Sequence, residues 1–121
     1  MINRWSAAHL IQIPKPGQKV RGSQSGAPIM ALFDLLGRRW AMGVLWTLCE
    51  TGTSTFRALQ ENCGSISPGV LNQRLKELQA AKFVAKTEGG YAATPFGMRI
   101  YRQLVPLGKA AVDWSKLLKE S

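Results

Sequence analysis

Ile66-Ser67-Pro68-Gly69-Val70-Leu71-Asn72-Gln73-Arg74-Leu75-Lys76-Glu77-Leu78 carries the strongest local signal in the chain. Its start is encoded by two residues. Ser67 can accept from the orphan N–H groups of a first helical turn, and Pro68 loses nothing at the first helical position, where an N–H would have no partner. The spacing predicts a helix from Pro68 to about Ala81, with Leu71, Leu75 and Leu78 on one narrow apolar stripe. The opposite face carries Gly69, Asn72, Gln73, Lys76 and Glu77, and Arg74 lies on the flank of the stripe. Such a helix docks by one side and offers hydrogen-bonding groups on the other.

Working upstream, Arg57 to Cys63 reads as a short helix with Phe56 and Leu59 as its apolar contacts, stopped by Gly64. Ser54-Thr55-Phe56 is compatible with a very short strand. A longer helix runs from Arg38 to about Glu50, with Trp40, Val44, Leu45 and Leu48, and ends before Gly52. Before it, Pro28 opens a helix with Ile29, Leu32, Phe33 and Leu36 at helical spacing, and Gly37 closes it. Downstream, Phe83-Val84-Ala85-Lys86 and Tyr91-Ala92-Ala93-Thr94 flank a Gly-Gly pair, which is a β-hairpin signal. Thr94 and Pro95 then start a last helix through Ile100, Tyr101, Leu104 and Leu107 toward Trp114, Leu117 and Leu118. Pro106 should kink or split it near Leu104. The order predicts a mainly α (α+β) fold: a winged helix-turn-helix with a short β-hairpin wing and terminal dimerisation helices.

Bulk properties bear on the partner. The chain has 121 residues, the size of one domain, and 45% hydrophobic residues, enough for a core. Sixteen Lys and Arg against seven Asp and Glu give a formal charge of +9, which attracts polyanions. Residues 1–26 hold Arg4, Lys15, Lys19 and Arg21 and no acid, and end in Gly-Ser-Gln-Ser-Gly. They read as a basic flexible arm, either in contact with DNA or without a role, ahead of a DNA-binding domain over 27–121. Cys49 and Cys63 are not at metal-pair spacing, and His9 is the single histidine, so no metal or cofactor is expected. No apolar run reaches the roughly 18 residues of a membrane span, and no convincing signal peptide opens the chain. The expected location is cytoplasmic.

A short helix, a tight turn and a polar-faced helix can place the last in the major groove of double-stranded DNA. Asn72 and Gln73 can each pair bidentately with an adenine edge. Lys76 and Arg57 can neutralise phosphates, and Ser67 with the free N–H groups around Gly69 can hold one. Lys86 sits on the wing, as a phosphate contact or a solvated charge. Arg74 either contacts DNA or forms an ion pair within the chain.

These residues carry a resemblance. Leu32 to Gly108 resembles the HxlR-type winged-helix regulators of the MarR-like group. Leu35-Leu36-Gly37-Arg38-Arg39-Trp40 is similar to their Leu-Gly-x-Lys/Arg-Trp segment, and Phe56-Arg57-Ala58-Leu59 to their Arg-Phe-x-x-Leu. Ile66 to Leu78 resembles Ile-Ser-x-x-x-Leu-x-x-Arg-Leu-x-x-Leu, and Tyr91-Ala92-Ala93-Thr94-Pro95-Phe96-Gly97 resembles Tyr-x-Leu-Thr-x-x-Gly. The resemblance implies a homodimeric regulator on a palindromic operator, with dimer contacts from Ile29, Leu32 and Phe33 and from Leu107, Ala111, Trp114 and Leu118. The alternative for the last stripe is packing inside the monomer. Several members sense electrophiles through a Cys before a Pro near the N-terminus. Here Ala27 precedes Pro28, so that mechanism is not supported, and the wing looks shorter than is usual in the family.

Rival functions fare worse. Scattered carboxylates, a lone histidine and no phosphate-binding glycine loop argue against an enzyme. The stronger alternative is a winged-helix interaction module for an acidic protein, with Trp46 as an exposed anchor. A third reading adds a small-molecule effector in an apolar pocket lined by Phe33, Trp40, Trp46, Tyr101 and Trp114.

Overall fold

The computed structural model describes residues 11–20 and 24–120. Its elements run α1 Pro28–Leu36, α2 Ala41–Thr51, α3 Phe56–Asn62, α4 Pro68–Ala80, β1 Val84–Thr87, β2 Gly90–Ala93 and α5 Pro95–Glu120. The two strands pair antiparallel, Val84 with Ala93 through Thr87 with Gly90, so Glu88-Gly89 forms a two-residue turn. This is the winged helix-turn-helix the sequence predicts. The short strand expected at 54–56 is a single bridge, in which Ser54 and Tyr91 exchange both backbone hydrogen bonds (2.9 and 2.7 Å). Phe56 already belongs to α3. Gly90 is required at that bridge. Its φ is +126°, and a Cβ there would run into the Ser54 carbonyl.

Seven side chains fill the centre: Val44, Leu45 and Leu48 of α2, Leu59 of α3, and Leu71, Leu75 and Leu78 of α4. Each buried Leu contributes roughly 1.5–3 kcal/mol relative to exposure, so the predicted stripe of α4 is what binds that helix to the domain. The core extends to Leu35, Leu36, Ile66, Phe83 and Val84. Part of the basic arm, residues 1–10 and 21–23, with Arg4, His9 and Arg21, lies outside the described residues. Of the rest, Ile13 packs against the core and the carbonyl of Gln12 accepts from Arg38 Nη1 at 3.2 Å.

Two expectations need correction. The helix foreseen from Arg38 begins at Ala41, because Arg38 to Trp40 form a turn in which Trp40 takes a left-handed φ of 75°. Nor does Pro106 split the last helix: α5 is helical from Pro95 to Glu120. The missing Pro106 N–H strands the carbonyl of Arg102, which sits on an exposed stretch where water can take its place.

The end of α4 is closed without a glycine. Lys82 N–H donates to Gln79 O (3.0 Å) and Phe83 N–H to Leu78 O (2.9 Å), with Lys82 at φ 70°. These are the two bonds of a Schellman motif, with lysine in the left-handed position. The carbonyl of Lys82 then accepts from Thr94 Oγ1 (2.7 Å), which itself accepts from Gly97 N–H (3.0 Å) as the cap of α5.

Candidate nucleic-acid interface

The helix-turn-helix is fixed from within. Thr55 Oγ1 caps α3 by accepting from Ala58 N–H at 3.1 Å, and Ser67 Oγ caps α4 by accepting from Val70 N–H at 3.2 Å. Between them Gly64 turns the chain at φ +85°, Ile66 is buried, and Gln60 Nε2 donates to the Ile66 carbonyl at 3.3 Å. The Ser67 hydroxyl, used as an acceptor, keeps its own hydrogen for an outside acceptor such as a phosphate oxygen.

Asn72, Gln73 and Gly69 are exposed on α4, and Lys76 is half-buried beside them. A Cβ on Gly69 would meet nothing within 4 Å. Arg57 is exposed in the first turn of α3. Lys86 is exposed on the wing, with its Nζ 5.3 Å from the centre of the Tyr91 ring. These groups are polar or cationic and lie on the helix-turn-helix and its wing.

One residue of α4 is placed differently from the sequence reading, and one left open there is resolved. Glu77, assigned to the outer face, is buried, with a side chain 5% exposed. Arg74, left between DNA and an internal ion pair, makes the internal pair: its Nη1 lies 2.8 Å from Glu77 Oε1 and its Nε donates to the Arg39 carbonyl at 2.8 Å. Arg38 Nη1 reaches Glu77 Oε2 at 2.9 Å, and Gln73 Nε2 donates to the same oxygen at 3.0 Å. A carboxylate with three donors can be buried where a bare one could not. The periodicity of α4 alone could not reveal this, because the arginine that turns Glu77 inward comes from the 37–40 turn. Two arginines to one carboxylate leave this corner positive, and with Arg39 it lines a polar recess of about 400 Å³ beside α4.

The residues expected at a dimer interface fall into two groups. Ile29, Phe33, Leu107, Ala111, Trp114 and Leu118 are exposed, Phe33 at 58% and Trp114 at 62%. Leu32 is half-buried and packs on its own core instead. The alternative for the α5 stripe, packing inside the monomer, is not what the structure shows. Val105, Leu107, Val112, Trp114, Leu117 and Leu118 all remain exposed.

Trp46, the anchor of the protein-partner alternative, is half-buried and meets Tyr101 edge-on at 5.1 Å. The aromatic residues expected to line a ligand pocket do not converge on one. The main apolar cleft, about 450 Å³, lies between residues 13–16, α1, the end of α4 and the start of α5, and is lined by Ile13, Leu32, Leu35, Phe83, Phe96 and Ile100 among others. Trp46 sits instead on α2, Trp40 in the turn before it and Trp114 on the outer half of α5. Burial pushes both thiols above their usual range, Cys49 with added repulsion from Glu50, and Cys63 in spite of a hydrogen bond with Thr47. Neither is an activated thiolate. Among the described residues no group of three His, Cys, Asp or Glu could hold a metal ion, and no helix is long and apolar enough to cross a membrane.

Comparison with known proteins agrees with this geometry. A family model described as HxlR-like helix-turn-helix matches residues 35–118. An uncharacterized HTH-type transcriptional regulator of Halalkalibacterium halodurans is 31% identical over 70 residues, 58% of this chain and 61% of that relative's length. Quinone-bound YodB of B. subtilis superposes with a TM-score of 0.58 at 27% identity, over 74% of this chain and 94% of its own. A possible HxlR family transcriptional factor from Thermoplasma volcanium has the same fold, with a TM-score of 0.60 at 24% identity, over 74% and 83% of the two chains.

Proposed function

The chain belongs to the HxlR-like helix-turn-helix family of DNA-binding transcriptional regulators, and from that premise we propose that it acts as a homodimer on a palindromic operator, with residues 67–81 as the recognition helix. The single observation that carries the dimer is the uncovered apolar face of α5, with Trp114 62% and Leu117 63% exposed. A monomer leaves a contiguous apolar surface of that kind in water at a cost that a second copy removes. Two-fold symmetry would set two recognition helices roughly 34–36 Å apart, one turn of DNA.

In this reading Asn72 and Gln73 meet base edges, while Arg57, Ser67, Gly69, Lys76 and Lys86 meet the backbone. Arg74 supports α4 from inside and does not touch DNA. Ile29 and Phe33 join the α5 stripe at the interface, and the basic arm adds charge for the phosphates. DNA as the target puts the protein in the cytoplasm. A small apolar effector would occupy the 450 Å³ cleft, whose lining is almost wholly apolar. Nothing in the family match or in the setting of Trp46 favours an acidic protein partner. The test is selection from random-sequence duplex DNA at low and moderate salt. Enrichment of an inverted repeat is the expected result. Salt-sensitive binding with no enrichment would mean a non-specific DNA protein, and the operator reading would fall.

A further inference from the structure

We propose that Glu77 is a positioning residue that locks the side-chain amide of Gln73 in one orientation before DNA arrives and thereby sets its preference for adenine over guanine. The inference rests on the reading of Gln73 as a base contact. Gln73 Nε2 donates to Glu77 Oε2 at 3.0 Å. That oxygen cannot swing away, because Glu77 is 3% exposed and its two oxygens are held by Arg38 and Arg74 at 2.9 and 2.8 Å. Arg74 is held in turn by the Arg39 carbonyl at 2.8 Å. The acceptor facing Gln73 is therefore anchored through the turn before α2.

An unrestrained glutamine amide rotates by half a turn at little cost and offers either end to a base. Here the rotated form would set Gln73 Oε1 against a carboxylate oxygen. A charge-assisted hydrogen bond would be exchanged for a repulsion. The locked amide uses one of its two Nε2 hydrogens on Glu77. The other hydrogen and Oε1 remain, as a donor and an acceptor side by side. Adenine matches that pair with its N7 acceptor and N6–H donor. Guanine offers acceptors at both N7 and O6, and its O6 would face Oε1. In a free glutamine, rotation relieves part of that clash. Anchored to Glu77, the residue rejects guanine.

The test is selection with the full chain, wild type and two variants, read as the ratio of adenine to guanine at each operator position. Wild type should show one position per half-site where adenine is favoured on the order of tenfold or more, and Gln73→Ala should abolish that preference. Glu77→Gln keeps the shape but can present a donor or an acceptor to Gln73. It should reduce the ratio at that same position to within about threefold while the other positions keep theirs. If Gln73→Ala alters no base preference, the base-contact reading falls, and this inference with it. If Gln73→Ala abolishes the preference and folded Glu77→Gln retains it, only the inference is overturned. Should Glu77→Gln not fold, NMR relaxation of wild type decides. The Gln73 side-chain amide in the free protein should show an order parameter near that of rigid backbone, about 0.85. A value below about 0.6 would mean a mobile amide and would overturn the lock.

Discussion

The two halves of α5 carry the same kind of apolar stripe and have opposite fates. In the first half, Gly97 is buried against the backbone of Phe83, Phe96 stacks on the Phe83 ring at 5.9 Å, and Tyr101 meets Trp46. In the second half, from Val105 to Leu118, the apolar side chains face solvent. Helical periodicity is blind to this difference. It says that one face is apolar and not what covers it, so a stripe half-covered by its own chain and a stripe left in water look alike in sequence. What separates them is a small residue. Gly97 lets the helix pass against the backbone just before β1, and beyond Gly108, near Trp46, Val112, Trp114, Leu117 and Leu118 are exposed.

Substitutions in each half should break in different ways. The largest effect is expected of Gly97→Ala, where the added methyl runs into the Phe83 carbonyl. Backbone cannot move aside as a flexible side chain can, so thermal or denaturant unfolding should show a loss of about 3 kcal/mol or more. A near-neutral result would mean that the helix is not clamped against Phe83. Trp114→Asp should do the converse. Unfolding of the isolated domain should change by less than about 0.5 kcal/mol, while self-association measured by sedimentation weakens by about 2 kcal/mol or more, roughly thirtyfold. If the variant unfolds the domain instead, the second half is part of the monomer core after all.

Gly69 sharpens the contrast from a third place, since it is exposed like the outer half of α5 but bears no apolar group. Gly69→Ala fills open space and should raise stability by about 0.5–1 kcal/mol through helix propensity. It should also weaken operator binding if DNA backbone approaches that position closely. A variant that gains stability and binds equally well would remove Gly69 from the interface. The smallest effect is expected of Lys82→Gly. It relieves a left-handed lysine between α4 and the residues that receive Gly97, and should stabilise by up to about 1 kcal/mol in the same unfolding assay. An unchanged midpoint would show the lysine to be unstrained.

Most of the fold was legible because its signals are local. Ser67-Pro68 and Thr94-Pro95 start α4 and α5 where capping chemistry says they should, and Gly89-Gly90 marks the wing. What stayed hidden depends on distant partners. Glu77 turns inward because Arg38, 39 positions away, reaches it, and Arg74 follows because its neighbour's carboxylate is there. The cleft was misassigned for a related reason. Aromatic residues draw attention in a sequence, yet this cavity is bounded mainly by aliphatic residues from four separated segments. The continuity of α5 through Pro106 was not legible either, because it depends on solvent reaching one freed carbonyl.

The proposed function requires that two copies, joined through the bare half of α5, read one operator. Sedimentation of the complex formed on a duplex carrying a single selected site tests it most directly. The account predicts two chains per duplex for the wild type and a sharp loss of that species for Trp114→Asp. One chain per duplex, bound with full affinity and sequence preference, would contradict it.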